Sequence, residues 1–333
     1  MPHWGKNQRA CRLRVGLLAF ALILFALPSA NSADYPDRPV RVVVPFAAAG
    51  VTDVVARVVF DRVAQITGKT FVIDNRPGAG GTIAIGQVIN DEPDGYTLVM
   101  GDPSGSLPAN ITLYPNLKYD PRKGLAPIAI FGSTGAMLVV SNAFPARTIE
   151  ELVAMAKAKP GELTYASTGI GTPGHLNGAL FSKLAGIQAI HVPYRIVGQA
   201  TTDLIAGRIS FWISPIPTNL QQVRQGQLRA LAVAGDEPSP DLPGVPTMRS
   251  AGIGDFNAST TYAIFAPIGT SSQKLDWLRD QIRNALGASG VQQKLRAAGV
   301  VVKYGSAAEI TQMLDAQTIQ WADVIKSAGI KID

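Results

Sequence analysis

Residues 40–57 read VRVVVPFAAAGVTDVVAR, and this stretch decides the fold. β-Branched residues come first, small residues follow, and apolar residues then recur at helical spacing, which predicts a strand, a tight loop and a helix. The loop has almost no side chains, so its N–H groups and the helix N-terminus can approach an anion such as a carboxylate or phosphate. In the alternative interpretation, Ala47 to Ala49 only pack a tight connection and Thr52 or Asp53 only caps the helix.

The same arrangement recurs along the chain. A second predicted strand at 70–74 precedes the loop NRPGAGG at 75–81 and a helix at 82–90, and a third strand at 96–100 precedes GDPSGS at 101–106. Strands that alternate with helices predict a parallel sheet with helices on its faces. Ligands bind at the carboxyl ends of such strands. The candidate ligand contacts on these loops are Phe46, Ala47, Ala48, Ala49, Gly50, Thr52, Asp53, Gly78, Gly80 and Ser104.

The N-terminal residues have the pattern of a secretory signal peptide. Basic residues within the first 14 positions precede an apolar run at 15–27, and small residues suited to cleavage follow. The apolar run is shorter than the roughly 20 residues of a membrane-spanning helix. We therefore expect residues 1–33 to be removed and the mature protein to be periplasmic.

Composition excludes several classes of partner and site. The formal charge is +6, and Lys6, Arg9, Arg12 and Arg14 lie in the leader, so the mature chain carries 6 − 4 = +2. A nearly neutral chain without basic runs argues against nucleic acid. The single cysteine also lies in the leader, which excludes disulfides and thiolate sites, and two remaining histidines argue against a zinc site. We expect no cofactor and no metal.

A second α/β series follows the first. Its predicted strands lie at 163–167, 189–194, 209–213 and 228–234. The mature chain is longer than one compact core usually holds, and an apolar strand at 262–266 indicates a return to the first series. The sequence therefore predicts an α/β protein with a cleft between two lobes, one formed by residues 34–133 and 260–333 and the other by residues 134–259.

Two helices begin with the sequence of a capping box. Thr148 is followed by Glu151, and Ser306 is followed by Glu309. In this motif the hydroxyl accepts the N–H three residues later, and the carboxylate accepts the N–H of the capping residue. Both sequences therefore predict reciprocal hydrogen bonds at the start of a helix.

Residues 169–174 read GIGTPG and match the dinucleotide-binding pattern GxGxxG. The full pattern needs an acidic residue about 20 positions later. This chain has HVPYR at 191–195 instead, so we do not expect a nucleotide site. Ser167, Thr168 and the amides around Gly169 can still bind an oxyanion.

His175 permits an interpretation as the base of a serine hydrolase with Ser167 or Ser104. Neither serine lies in a Gly-x-Ser-x-Gly sequence, so a structural or hydrogen-bonding histidine is favoured. Tyr194 and Arg195 can offer a phenol and a guanidinium to the cleft, or can form a solvated strand end.

Together these features resemble the Bug (TctC-like) family, the periplasmic solute-binding proteins of tripartite tricarboxylate transporters. The motifs cover essentially the whole mature chain and are specific in combination. They are YPDRPV at 35–40, the loop at 45–53, NRPGAGG at 75–81, DGYTL at 94–98, YASTG at 165–169, GT at 171–172, HVPY at 191–194 and LRALAV at 228–233.

The resemblance implies a type II periplasmic-binding-protein fold whose two lobes close on a small carboxylate. It implies inner-membrane permease subunits as partners, or a sensor kinase if the protein reports on its ligand, and we expect a monomer. First-lobe contacts would be the 46–50 amides, Thr52, Asp53 and the 78–81 loop. Second-lobe contacts would be Ser167, Thr168, Gly169, Thr172 and Tyr194, to which the residues themselves add His175 and Arg195.

The chain departs from the family pattern at three places. The family commonly has Gly-Gly and then Pro or Ser where this chain has residues 49–51, AGV, and Lys-Gly where it has residues 195–197, RIV. The strand that ends near Ser214 lacks an acidic residue often seen there. These larger and less polar groups suggest a less polar or aromatic carboxylate in place of citrate or an amino acid.

Overall fold

The structure is a computed structural model that describes Met1 and residues 35–235, 237–254, 256 and 258–332. The expected signal peptide at 1–33 lies, apart from Met1, outside the described residues. The unit Arg38–Asp333 carries every helix and strand given below. None of the helices in the described part of the chain combines the length and apolar composition that a membrane span requires.

Strands and helices alternate through most of the described chain. The strands are β1 (Val40–Val44), β2 (Phe71–Asn75), β3 (Thr97–Gly101), β4 (Leu125–Thr134), β5 (Ala136–Ser141), β6 (Thr164–Ser167), β7 (Ile190–Pro193), β8 (Phe211–Pro215), β9 (Leu228–Ala234), β10 (Thr260–Pro267) and β11 (Val301–Gly305). The helices are α1 (Val51–Thr67), α2 (Thr82–Ile89), α3 (Ser106–Leu113), α4 (Pro121–Gly124), α5 (Ile149–Ala158), α6 (Pro173–Ala185), α7 (Val197–Ile205), α8 (Ile216–Arg224), α9 (Ser272–Gly287), α10 (Ser289–Ala297) and α11 (Ala307–Ser327). A short 3₁₀ turn (Ala79–Gly81) precedes α2.

The first sheet has the strand order β11-β4-β10-β3-β1-β2. β1 pairs in parallel with β2 and β3, as the alternation of strands and helices predicts. β10 runs antiparallel between β3 and β4. The inner strand β1 is almost wholly buried, which accounts for its continuous run of valines.

The second sheet has the strand order β7-β6-β8-β5-β9. β6 pairs in parallel with β7 and β8, whereas β5 runs antiparallel to β8 and β9. The parallel half of this sheet ends in the loops before α6 and α7. The sequence predicts these loops to bind the ligand.

Two backbone crossings and packed helices connect the two sheets in the described part of the chain. The chain passes from β4 to β5 at Gly135 and returns between β9 and β10. α11 is one of these helices, because Ile310 and Leu314 join the core of the first sheet and Trp321 and Val324 join the core of the second. The sheets are therefore joined both by backbone crossings and by packing.

The predicted elements differ from the structure mainly at helix starts. β5 and β9 have the bounds that the sequence predicts, 136–141 and 228–234, but α3, α4, α10 and β11 were not predicted. The sequence also predicts helices at 176–184 and 220–224, whereas α6 begins at Pro173 and α8 at Ile216, three and four residues earlier. Both helices have a proline in the first turn, where proline is favourable.

The two predicted capping boxes have different outcomes. At α11 both reciprocal hydrogen bonds are present, between Ser306 and Glu309. At α5, Thr148 accepts the Glu151 N–H, but the Glu151 carboxylate accepts the N–H of Arg147 at 2.6 Å. The second prediction is therefore only half right, because the carboxylate reaches one residue further back along the chain.

Candidate functional site

Two polar side chains hold the loop between β1 and α1. Asp53, which is 3% exposed, accepts the Ala49 N–H at 2.9 Å and Arg57 Nε at 3.0 Å. Asn75 donates from Nδ2 to Asp53 Oδ1 at 2.9 Å and to the Phe46 carbonyl at 3.2 Å. Both ends of the loop are therefore held by side chains that come later in the chain. Asn75 binds Phe46 near its start, and Asp53 binds Ala49 near its end.

The Asp53 carboxylate is stabilised as an anion. Burial raises the pKa of Asp53, but hydrogen bonds from Arg57, the Ala49 N–H and Asn75 outweigh burial and hold the pKa below its ordinary value. Arg57 Nη2 also lies 2.9 Å from Asp53 Oδ1. Asp53 was predicted as a ligand contact, and in the structure its carboxylate fastens the loop.

α1 begins without a side-chain cap. Its N-cap is Gly50, so neither Thr52 nor Asp53 caps the helix, and the alternative interpretation of this stretch is wrong on that point. The Thr52 hydroxyl has no hydrogen-bond partner within the described part of the chain, and residues 47–50 are exposed. First-turn N–H groups and a free hydroxyl therefore surround a position that favours an anion.

Ala49 has a backbone conformation that favours glycine, with φ of 64°. A side chain in this left-handed region costs about 1–2 kcal/mol, part of which is offset because alanine restricts the unfolded chain. We expect Ala49→Gly to raise the free energy of unfolding by about 0.5–1 kcal/mol in urea denaturation. Ala64→Gly, in the interior of α1, should lower it by about 1 kcal/mol, and equal effects of both changes would contradict the prediction.

The loop after β2 packs against the loop after β1. A Cβ added to Gly81 would lie 3.1 Å from Pro45 Cβ, so only glycine permits this approach without a shift. The carbonyl of Gly80 accepts a hydrogen bond from Asn110 Nδ2 of α3 at 3.0 Å. Gly78 and Gly80, which were predicted as contacts, thus lie beside the first loop.

Ser104, a predicted contact, lies instead at the connection between the sheets. Its hydroxyl is 2.7 Å from Asp102 Oδ1 and 2.8 Å from the Ser259 carbonyl. Trp321 Nε1 of α11 donates to the Ser104 carbonyl at 2.8 Å. The hydroxyl thus joins β3 to the segment that returns from the second sheet, and ligand contact by Ser104 stays a prediction.

The loop after β6 is organised around Ser167, which is fully buried. Its hydroxyl accepts the Gly169 N–H at 3.0 Å and donates to the Gly169 carbonyl at 2.9 Å. His191 Nε2 lies 2.6 Å from the same oxygen. The hydrolase interpretation paired Ser167 with His175, whereas the structure pairs it with His191.

His175 and Thr172 also act within this loop. The Gly171 N–H donates to His175 Nδ1 at 3.1 Å, and Thr172 Oγ1 donates to the Gly169 carbonyl at 2.7 Å. Thr168, by contrast, is exposed and has no side-chain partner among the residues that the structure describes. Among the predicted contacts of this loop, the side chains of Ser167, Thr172 and His175 therefore hold its shape. In this set, only the Thr168 hydroxyl has no partner among the described residues.

α6 resembles α1 in how it begins. Thr172 is its N-cap but makes no side-chain cap hydrogen bond. Gly171, with φ of 74°, allows the turn and lies close to the side chains of Leu113 and Ile332. The first turn of α6 therefore offers unpaired N–H groups at the carboxyl edge of the second sheet.

The strand end after β7 is less open than predicted. The Tyr194 hydroxyl donates to Asp203 at 2.9 Å, and ligand contact by Tyr194 stays a prediction. Burial and this carboxylate raise the pKa of Tyr194 to about 12. Arg195 is exposed, and no described residue forms an ion pair with it.

α3 brings the loops of the two sheets to one place. Asn110 binds the Gly80 carbonyl of the first sheet, and Leu113, one turn later on the same helix, lies near Gly171 of the second. A helix is only about 10–12 Å across with its side chains. Both glycine loops therefore contact one short helix, through residues three positions apart that are neighbours on its surface.

Four polar residues of this region were not among the predicted contacts. They are Asn75, Asp102, Asn110 and His191. Asn75 ends β2 and Asp102 follows β3. Their positions at the carboxyl ends of strands could have identified both as residues of the site. Asn110 and His191 have no local signal, because their partners lie 30 and 24 residues away.

The chain is similar to known receptors over most of its length. The family model described as the tripartite tricarboxylate transporter family receptor, TctC, matches residues 55–330. Protein BugT of Bordetella pertussis is 33% identical over 302 residues, which cover 90% of this chain and 93% of that protein.

Solved structures of similar proteins agree with this match. R. palustris Rpa4515 with adipate is 32% identical, has a TM-score of 0.76, and covers 90% of this chain and 99% of that chain. MatC from Rhodopseudomonas palustris with bound malate is 30% identical, has a TM-score of 0.74, and covers 87% of this chain and 100% of that chain. These similarities confirm the predicted periplasmic-binding-protein fold. The chain therefore belongs to the TctC family, the receptors of tripartite tricarboxylate transporters.

Proposed function

We propose that the protein captures a small organic carboxylate in the periplasm and delivers it to an inner-membrane permease. The lobes would be residues 34–133 with 260–333 and residues 134–259. The observation that carries the proposal is the presence of two helix N-termini without a side-chain cap, those of α1 and α6, each of which follows a loop at the end of a strand of a different sheet. The leader pattern at 1–33 supports export, and the family consists of solute-binding receptors.

Each lobe would bind the anion with N–H groups and one hydroxyl. In the first lobe these are the first turn of α1, the N–H groups of residues 46–48 and Thr52, since the N–H groups of Ala49 and Gly50 bind Asp53 and the Ala47 carbonyl. In the second they are the first turn of α6 and Thr168. Asp53, Ser167, Ser104 and Tyr194 would hold the loops, because their side chains already bind protein groups. Closure follows if the ligand binds both lobes, since only differential affinity for the closed state shifts the equilibrium.

The ligand is proposed to combine carboxylate with an apolar body. Relatives with adipate and with malate show that this family accepts dicarboxylates of different polarity. In this chain the second-lobe loops expose Ile170, Ile196 and Val197, of which Ile196 is 65% exposed. Apolar groups at this edge favour adipate or an aromatic acid over malate, citrate or aspartate.

A thermal-shift screen tests the ligand class. The protein purified from the periplasm would be heated with adipate, benzoate, malate, citrate and aspartate. A ligand at a hundred times its dissociation constant should add about 2.7 kcal/mol of stability, which raises the melting temperature visibly. Tight binding of citrate or aspartate with no effect of adipate or benzoate would overturn the apolar preference, and no shift with any acid would remove support for carboxylate capture.

Removing the free hydroxyls should weaken binding without unfolding the protein. We expect Thr52→Ala and Thr168→Ala each to weaken the affinity for the best ligand by about tenfold, because each removes one hydrogen bond to a charged group. Isothermal titration calorimetry measures the affinity. Thr52→Ser should retain most of it, and Thr70→Ala, at an exposed position outside the loops, should have no effect. Unchanged affinity in both alanine variants would contradict the proposed site.

A serine hydrolase is the second candidate, because Ser167 and His191 are 2.6 Å apart. Against this function, Ser167 is fully buried, and no carboxylate among the described residues orients His191. Burial also lowers the pKa of His191 to about 4, which makes it a weak base. We therefore propose that the protein has no hydrolase activity. Hydrolysis of p-nitrophenyl acetate that His191→Ala abolishes would reverse this conclusion.

Delivery to a permease is tested in cells. Deleting the gene should abolish uptake of the radiolabelled acid that the screen identifies. Complementation with the Thr52→Ala variant should restore uptake only at higher acid concentration. Normal uptake together with lost ligand-dependent gene expression would indicate a sensory partner instead.

A further inference from the structure

Two stacked imidazoles lie beneath the 168–172 loop. The ring centroids of His175 and His191 are 3.7 Å apart, and the rings are tilted by only 7°. Tyr165 extends the stack, with its ring centroid 5.1 Å from that of His191. This arrangement follows from the sheet register, which places Tyr165 of β6 opposite His191 of β7.

Each imidazole is bonded to a different part of the loop. His175 Nδ1 accepts the Gly171 N–H at 3.1 Å, which requires that this nitrogen carry no proton. His191 Nε2 is bonded to the Ser167 hydroxyl, and that hydroxyl in turn holds both the N–H and the carbonyl of Gly169. The two glycines of the loop are thus held through two histidines that also contact each other.

We propose that His175 is a positioning residue for the loop before α6, and that a proton on its Nδ1 releases Gly171 and weakens ligand binding in acid. This inference rests on the proposed carboxylate-binding function of the loop. It goes beyond that function because it assigns the loop a proton-dependent shape. The Gly171 N–H would lose its acceptor because the hydrogen on a protonated Nδ1 would point at that N–H.

The surroundings of the pair disfavour its protonation. β6, β7 and β8 carry no charged residue, and Tyr165 and Phe211 contribute only neutral rings to the stack. The charged residue of α6, Lys183, is exposed and pairs with Asp323 of α11. Arg195, after β7, is exposed. Both histidines therefore lack a carboxylate partner among the residues described here.

These surroundings lower the pKa of both histidines. Burial, and then the charge of His191, lowers the pKa of His175 to about 4, and burial lowers the pKa of His191 to about 4. The position of His175 in the first turn of α6 adds the positive end of the helix dipole. Both rings are neutral at pH 7 and gain protons as the pH falls toward 4, so the loop is expected to lose its shape in that range.

Two variants separate the hydrogen bond from the ring. His175→Asn keeps an acceptor, Oδ1, close to the position of Nδ1, and it does not titrate. His175→Phe keeps a flat stacking ring but has no acceptor. At pH 7.5 we expect the asparagine variant to retain the affinity within about threefold and the phenylalanine variant to lose about tenfold, the effect of one hydrogen bond.

The first measurement needs no ligand. The amide proton of Gly171 is followed by NMR from pH 7.5 to pH 4 in the unmodified protein and in the His175→Asn variant. We expect its chemical shift to move upfield with falling pH only in the unmodified protein, because only there is the acceptor lost. A Gly171 signal that is indifferent to pH in both proteins, or that moves equally in both, would overturn the inference.

The second measurement uses adipate as the probe and calorimetry over the same pH range. Adipate itself titrates there, so the readout is the affinity of the unmodified protein divided by that of the His175→Asn variant. This ratio should fall about twofold from pH 7.5 to pH 4, where about half of His175 carries the additional proton. A constant ratio, or tighter binding by the unmodified protein in acid, would overturn the inference. If the Gly171 signal behaves as expected but adipate binds to neither protein, the proposed ligand class fails while the positioning role stands.

Discussion

Replacing Asp102 by alanine should lower the free energy of unfolding by about 3–5 kcal/mol, more than any other single change considered for this protein. Asp102 is 5% exposed, and its carboxylate accepts the N–H groups of Ser104, Ser106 and Thr261 at 3.0, 3.2 and 3.1 Å. It is also bonded to the Ser104 hydroxyl at 2.7 Å. Alanine would leave the buried Thr261 N–H with only the Ser104 hydroxyl as acceptor, and the half-buried N–H groups of Ser104 and Ser106 without this carboxylate.

The position of Asp102 explains why its replacement should destabilise the whole fold. The residue follows β3, Ser106 begins α3, and Thr261 belongs to the strand that returns from the second sheet. Burial raises the pKa of Asp102, and the hydrogen bonds from Ser104, Thr261 and Ser106 oppose that shift. The carboxylate thus joins three segments at the connection between the sheets.

Urea denaturation followed by circular dichroism measures the effect. Asp102→Asn keeps one acceptor oxygen and should lose about half as much stability as the alanine variant. Asp276→Ala serves as the surface control, since its side chain is 64% exposed and pairs only with Arg279 across one helical turn, and it should change the stability by less than about 0.5 kcal/mol. An Asp102→Ala variant within about 1 kcal/mol of the unmodified protein would contradict this account.

Adding one methyl group to Gly178 should destabilise the protein by about 3 kcal/mol. A Cβ at this position of α6 would lie 2.2 Å from Cε2 and 2.3 Å from Cδ2 of Tyr165. The Tyr165 ring cannot move aside freely, because it stacks on Phe211 at 5.6 Å and lies 5.1 Å from His191. The clash therefore outweighs the gain of about 1 kcal/mol in helix propensity that alanine brings.

A matched control and a double variant test the cause. Gly287→Ala lies at the end of α9 and meets no atom within 4 Å, so it should be neutral or stabilise the protein by up to about 1 kcal/mol. Combining Gly178→Ala with Tyr165→Val should cost less than the sum of the two single changes, because the smaller side chain makes room for the methyl group. If the two changes in the free energy of unfolding are strictly additive, the added methyl group and the Tyr165 ring do not collide.

Both predictions concern residues that link the loops at the strand ends to the rest of the fold. Asp102 lies where α3 and the returning chain meet, and α3 also contacts the glycine loops of both sheets. Gly178 allows α6 to lie against Tyr165, which in turn stacks on the histidine pair. The loops are therefore shaped by buried polar and aromatic contacts rather than by their own small residues alone.

Much of the fold could be predicted because its signals are local. The valine run before residues 45–50 forms a buried parallel strand, and β5 and β9 have the predicted bounds. The capping box at Ser306 is present in full, since its groups lie within one helical turn. The α3 helix was missed because its first turn follows an Asp-Pro-Ser-Gly sequence, which is typical of a loop.

The sequence by itself determined the class of the fold, the positions of the loops rich in small residues at the strand ends, and the family to which the chain belongs. Only the tertiary structure decided which side chains on those loops remain free. Ser167 was predicted to contact the ligand, yet it binds His191, and Ser104 binds the carbonyl of Ser259, which is 155 residues away. The physical reason is that helix and strand signals arise between residues a few positions apart, whereas the partner of a buried hydroxyl is set by strand order and register, which bring together residues that are distant in the chain.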